Sequence, residues 1–301
     1  MEDFNNQINE AQTEYENGNY SRATDLLLDL YDQSDDFKIN QLLGKTLFAN
    51  QQFVSAVKLV DDNFSNFIKN DPELLCKIFL KNQRYIELRI IINGLAEKEK
   101  TNWLKLVEQS EQDHLNLEPN TVANLTKEFS HLGAFAAEKQ QEIINDAETL
   151  PFENYLVGAR LSVTDADVNP IWRTQLLNNL MRLDADMEIK FLWIDNQMYQ
   201  VNPVKLIDVE KSNAYREMIK YIDSGIGQED PIKSNQIKMV TMVNLQLIYP
   251  FIDEIIANPV DWVKVIEMNL FGMQPENVDD FTEINQWFKR VQKIMDSLIS
   301  K

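Results

Sequence analysis

The sequence predicts a mainly α fold, with a stack of helical hairpins at the N-terminus followed by a helical domain that bears one β-hairpin at about 189–202. Three observations lead there. A turn–aromatic–small pattern recurs at nearly constant spacing over the first third of the chain. Only eight glycines and nine prolines punctuate 301 residues, as long helices with short connections require. One pair of apolar runs flanks an Asx-rich turn further along.

The recurring pattern appears as Gly18-Asn19-Tyr20-Ser21-Arg22-Ala23, as Gln51-Gln52-Phe53-Val54-Ser55-Ala56 and as Gln83-Arg84-Tyr85-Ile86-Glu87-Leu88. Its last positions, Ala23, Ala56 and Leu88, are 33 and 32 residues apart. Leu43-Gly44-Lys45-Thr46-Leu47 and Leu75-Cys76-Lys77-Ile78-Phe79 stand at the same distance before the second and third copies. A small residue in the first helix (Ala11, Gly44, Cys76) is expected to let the second helix approach, and the aromatic after the turn fills the gap between them. Asp71-Pro72 supplies an N-cap followed by proline at the first helical position.

These motifs resemble the tetratricopeptide repeat, whose first helix carries Leu-Gly-x-x-Tyr and whose second carries Ala followed by a large apolar residue. Leu47 and Phe79 stand at the Tyr position, while Ala23…Leu27 and Ala56…Val60 supply the second-helix pairs. The copies are shorter than the usual ~34 residues, lack the family's Trp, and place Tyr15 one position late. The predicted repeats are about 4–36, 37–69 and 70–102 within a block 1–105. Residues 106–150 form a degenerate fourth copy or linker helices, with Leu125-Thr126-Lys127-Glu128-Phe129 and Gly133-Ala134-Phe135 as its motif. In its order of features the whole chain is similar to tetratricopeptide-repeat proteins of low-GC Gram-positive bacteria, a resemblance that brings no activity with it.

The third region, 151–301, is predicted helical apart from the hairpin. Pro170 opens a helix with Ile171, Leu176, Leu177, Leu180 and Leu183 on one stripe. Ile189–Ile194 and Met198–Val201 flank Asp195-Asn196-Gln197. Further helices are expected at about Ser212–Asp223, Asn235–Ile248, Val260–Leu270 and Asp279–Ser300. The last has Phe281, Ile284, Phe288, Val291, Met295 and Leu298 on one stripe, which serves either its own domain or a homodimer seam.

A net charge of −19 and a pI near 4.5 repel phosphate backbones and anionic lipids, which argues against nucleic-acid and membrane-surface roles. A single cysteine, Cys76, excludes an intramolecular disulfide. The acidic start MEDFNNQ is unlike a signal peptide, and a cytoplasmic location is expected.

Catalytic material is scarce, and no catalytic, cofactor or metal residues are assigned. The two histidines, His114 and His131, leave little for acid–base or metal chemistry, and Cys76 already has a packing role. Asp165-Ala166-Asp167-Val168-Asn169 imitates a calcium loop but has Pro170 for the required glycine and Leu176 for the bidentate glutamate, so a helix-capping turn is expected. The resemblance implies that polar residues of the first helices face a ligand. Lys38, Gln41, Lys45, Lys77 and Lys81 then form a basic stripe for a protein or peptide with an acidic segment. The alternative for those lysines is solvation of exposed helix faces. Ile8, Gln12 and Glu73 depart from the carboxylate-clamp pattern of chaperone-binding members. The expected function is a scaffold or adaptor. The alternatives are a peptide-sensing regulator acting through another protein, and an enzyme with a polar pocket in 151–301.

Overall fold

The three sequence repeats fold as helical hairpins: α1 (Glu2–Glu16) with α2 (Tyr20–Tyr31), and α3 (Phe37–Ala49) with α4 (Phe53–Asp62). After a short α5 (Phe64–Asn70), the third pairs α6 (Pro72–Lys81) with α7 (Tyr85–Asn93). The structure is a computed structural model that describes residues 2–272 and 281–299.

Each turn closes its first helix in the same way. Gly18, Gln51 and Gln83 adopt left-handed φ values of 77°, 58° and 57°. The next amide then reaches back five residues, from Asn19 to Glu14 O (2.9 Å), from Gln52 to Leu47 O (2.9 Å) and from Arg84 to Phe79 O (3.1 Å). This is the Schellman pattern, which satisfies helix-end carbonyls. Glycine adopts it without strain, whereas the two glutamines carry the cost of a Cβ in left-handed backbone.

Ala11, Gly44 and Cys76 are all buried at equivalent positions of α1, α3 and α6. The expected neighbour of Gly44 was α4, but a Cβ there would touch Phe67 of α5 and Leu74 of α6 at 3.4 Å. The reason is the extra helix α5, whose Phe67 is fully buried and meets Phe37 edge-on at 5.1 Å. Asp71 caps α6 by accepting from Leu74 N at 3.1 Å, as its sequence announces.

The backbone contacts divide the chain into two units, residues 1–119 with 148–152, and residues 120–147 with 153–301. The boundary anticipated at 105 falls inside α8 (Glu97–Leu117), which packs on α6 and α7. Its later turns are held there by the buried Val107 and by Glu111, which receives two bonds from Arg89 at 2.8 and 2.7 Å.

The second unit begins with α9 (Pro119–Ser130, counted from its second residue), α10 (Ala137–Ala147) and α11 (Phe152–Ser162, likewise from its second residue). The motif read as a fourth copy lies here: Leu125–Phe129 is on α9, and Gly133-Ala134 is in a 3-10 turn. Phe129 is fully buried against Gly158, where a Cβ would come within 2.2 Å of its ring. Next come α12 (Pro170–Arg182) and the antiparallel pair β1 (Ile189–Leu192) and β2 (Met198–Val201), in register Ile189↔Val201. The first strand stops two residues earlier than its apolar run. The Trp193 amide instead donates to Gln197 O at 3.0 Å, and Asn196 turns to φ 65°.

The unit is completed by α13 (Asn213–Ser224), α14 (Ile226–Glu229), α15 (Pro231–Ile248), α16 (Ile252–Ile255), α17 (Pro259–Phe271) and α18 (Thr282–Ile299). Helix α15 starts four residues before its expected Asn235, because Asp230 caps it by accepting from Ile232 N and Lys233 N at 3.0 Å each. The stripe of α18 packs within this unit. Val291 is buried, the helix contacts α15 and α17, and the Trp287 ring lies 5.6 Å from Trp193. Asp279 and Ser300, expected at its ends, and the Leu298 side chain lie outside the described residues.

Buried Arg173 ties α12 to its surroundings. Its Nε donates to Leu192 O (2.9 Å) and its Nη1 to Asp165 O (3.1 Å) and Val168 O (2.5 Å). Loss of hydration pulls its pKa down to about 10, against the pull of nearby Asp165, and it stays a cation at neutral pH.

Candidate functional site

In the first unit, α1 and α3 frame a cleft of about 520 Å³. Ile8, Asn9, Gln12 and Tyr15 line it from α1, and Lys38, Gln41, Leu42 and Lys45 from α3. The positions follow from helical geometry: residues three, four and seven apart share a face, which brings Lys38, Gln41, Leu42 and Lys45 onto one stripe. Ile8 and Leu42 give the cleft apolar material, while Asn9, Gln12 and Gln41 offer both donors and acceptors.

The basic stripe is divided. Gln41 Nε2 donates to Asp71 Oδ2 at 2.6 Å, and Lys45 Nζ lies 3.8 Å from the same oxygen. Lys77 pairs with Glu73, one turn earlier on its own helix, at 2.6 Å. Lys81 stands over the Phe53 ring at 6.0 Å, and neither Lys77 nor Lys81 lines the cleft. Lys38 is exposed, lines the cleft, and has no carboxylate partner among the described residues. Three of the five sequence-selected residues therefore share one cleft, and one of their two lysines lies beside an internal carboxylate.

In the sequence, Ile8 and Gln12 stand out only as departures from a clamp pattern. Asn9 and Tyr15 were missed as cleft residues. For Asn9 the signal is the 33-residue offset, which makes it equivalent to Leu42, as Gln12 is to Lys45; Tyr15 is offset to Phe48, outside the cleft, and the spacing does not reveal it.

The chemical candidates have structural roles. Cys76 is fully buried, and desolvation with help from Glu73 and Glu99 pushes its thiol up to about 12, so it remains protonated and unreactive at neutral pH. His114 is buried with its ring 5.9 Å from that of Tyr85, and His131 Nδ1 lies 2.9 Å from Lys127 O. The segment 165–169 forms the capping turn expected of it. Asp165 Oδ1 accepts from Asp167 N at 2.9 Å and Asn169 Oδ1 from Ile171 N at 3.1 Å. Among the described residues, no three His, Cys, Asp or Glu are grouped to hold a metal ion, and no helix is long and apolar enough to cross a membrane.

A second cavity, of about 570 Å³, lies within the second unit between α12, α15 and the segment 208–210. Trp172, Asn178, Arg182, Asp208, Glu210 and Tyr249 are among its walls. Trp172 belongs to the motif Pro170-Ile171-Trp172-Arg173, but nothing in the sequence joins it to Tyr249, 77 residues later. No protein-family model matches this chain, and no curated protein or solved structure matches it.

Proposed function

We propose that the first unit is a tetratricopeptide-type module that holds an extended segment of a partner protein in the α1–α3 cleft, and that the chain serves as a non-enzymatic scaffold or adaptor. The observation that carries this reading is the cleft itself, six of whose eight residues form equivalent pairs in consecutive repeats: Ile8 with Gln41, Asn9 with Leu42 and Gln12 with Lys45. A side chain of the guest would pack on Ile8, Leu42 and the Tyr15 ring, and the amides of Asn9 and Gln12 would bond its backbone.

The charge pattern supports a carboxylate on the guest, close to Lys38. Asp71 competes with it for Lys45. The test is binding of short acidic, neutral and basic peptides to the full chain and to two variants with opposite expected effects. Lys38→Glu should weaken acidic-peptide binding by about tenfold, since it reverses a cleft charge. Asp71→Asn should strengthen it severalfold, because asparagine keeps the helix cap while releasing Lys45. Equal affinities across both variants, or no peptide binding at all, would overturn the proposal.

A further inference from the structure

The two outer edges of the β-hairpin are not alike. The bond from Trp193 N to Gln197 O, with the register Leu192↔Met198, sets the phase of the ladder. Bonded pairs alternate with unbonded ones in an antiparallel ladder, so Leu192 of β1, and Met198 and Gln200 of β2, turn their backbone groups outward. At Leu192 the chain fills the β1 edge itself. Its N–H donates to Val163 O and its carbonyl accepts from Arg173 Nε, both at 2.9 Å. On β2 the outward amides and carbonyls of Met198 and Gln200 have no partner among the described residues, and both residues are exposed. Edge strands are ordinarily blunted by a charge, a proline or a bulge, and Met198-Tyr199-Gln200-Val201 has none of these.

The surroundings of the open edge select its guest. A third strand on β2 would place one residue opposite Tyr199, with its side chain on the same face of the sheet. There the Tyr199 ring lies 4.7 Å from that of Phe251, and both residues are half-buried. The charges beside them are negative. Asp195 Oδ2 accepts from the Tyr199 hydroxyl at 2.8 Å, and Glu254 is exposed one turn after Phe251. The bond to Asp195 first, and then burial and the charges of Asp195 and Glu254, raise the phenol pKa. Lys205 lines the same hollow of about 270 Å³ as Glu254 but is paired with Glu188 at 3.7 Å. A lysine or arginine suits this place, since its methylene stem covers the rings while its head reaches the carboxylates. A second copy of this chain does not. Two β2 strands paired about a two-fold axis, Met198 against Gln200, would set Tyr199 against Tyr199 and crowd four carboxylates together. Each copy also carries a net charge of −19.

We propose that β2 takes up an extended segment of a partner protein as a third strand, bonded to the backbone of Met198 and Gln200 and carrying a lysine or arginine opposite Tyr199. The site is independent of the α1–α3 cleft and rests on different residues.

The experiment titrates three capped heptapeptides, Ser-Val-Thr-X-Thr-Val-Ser with lysine, norleucine or glutamate at X, into the isotope-labelled full chain. Affinity and amide exchange are read by NMR in the wild type, in Asp195→Asn/Glu254→Gln and in Gln200→Pro. Asparagine can keep the bonds that Asp195 accepts from Gln197 N and the Tyr199 hydroxyl, so the double variant should fold as the wild type does. The lysine peptide should bind the wild type saturably, about tenfold more tightly than the glutamate peptide, and should slow exchange of the Met198 and Gln200 amides. The double variant should weaken the lysine peptide about tenfold and leave the norleucine peptide unchanged. Gln200→Pro removes an outward donor that the β1–β2 ladder does not use, and should weaken both. The proposal is overturned by no saturable binding of the lysine peptide, by equal binding of the glutamate peptide, by an unchanged lysine-peptide affinity in the double variant, or by protection on α1 and α3 in place of β2. It is also overturned if the free chain sediments as a dimer in which the Met198 and Gln200 amides are already protected, since a second copy would then fill the edge.

Discussion

Replacing Glu148 with glutamine should stabilise the first unit at alkaline pH and leave it unchanged at acid pH. Three carboxylates share the single guanidinium of Arg84. Its Nη1 lies 2.6 and 2.7 Å from the Asp61 oxygens, and its Nη2 pairs with Glu87. Glu148 is the third. Burial first, and then the charge of Glu87, push its carboxyl up to about 7 from an ordinary 4.5, with Arg84 opposing and Asp61 adding to the rise. The sign follows from proton counting. Between about 4.5 and 7 the folded chain holds a proton that the unfolded chain has released, so stability falls as pH rises through that window. The full gap corresponds to roughly 3 kcal/mol above pH 7, and partial exposure of the side chain reduces it to about 1–2 kcal/mol. Hydrogen exchange of the α7 amides, corrected for intrinsic rates, reads this unit alone, and the Ile86 amide bonds directly to Glu148 O at 3.2 Å. Glu148→Gln should match wild type at pH 4 and exceed it by about 1–2 kcal/mol at pH 8. A gain of equal size at both pH values, or a loss at pH 8, would refute the reasoning.

The remaining predictions concern backbone strain and packing. Gln51→Gly and Gln83→Gly should each raise urea-unfolding stability by up to about 1 kcal/mol, because both glutamines occupy left-handed backbone; a loss would show that their side chains matter more. Arg173→Met should cost about 3 kcal/mol or more, measured by urea unfolding, since three backbone carbonyls lose their donor together. Gly158→Ala should destabilise by about 1–3 kcal/mol, because its Cβ would fall 2.2 Å from the buried Phe129 ring. Gly44→Ala, with contacts of 3.4 Å, should be nearly neutral in the same assay, as crowding offsets the better helix propensity of alanine.

Local signals were legible where one short segment contained the whole device. Asp71-Pro72 and Asn169-Pro170 each gave a helix start at the right residue, since cap and first turn are contiguous. Asp230-Pro231 carries the same signal, and the start of α15 could have been read from it. The three repeat turns were visible through spacing, and their common backbone bonds follow the same register. What spacing did not reveal was what fills the space between helices. Phe67 reaches Gly44 through an inserted helix, and α8 continues past the expected boundary because Glu111 answers Arg89 across 22 residues. The cleft was half legible. Helical periodicity placed Lys38, Gln41 and Lys45 together, but the bond from Gln41 to Asp71 joins residues 30 apart and alters the charge of the stripe. The second cavity needs Trp172 and Tyr249 on one wall, which tertiary packing alone decides.

The most direct test of the central claim is where a bound peptide leaves its footprint. Hydrogen exchange of the full chain, with and without the tightest acidic peptide from the binding series, should show new protection on α1 and α3. The outer helix α4, whose Val54 is 78% exposed, should exchange unchanged. Protection confined to α2 and α4, or to the second unit, would contradict the assignment of the α1–α3 cleft as the binding site.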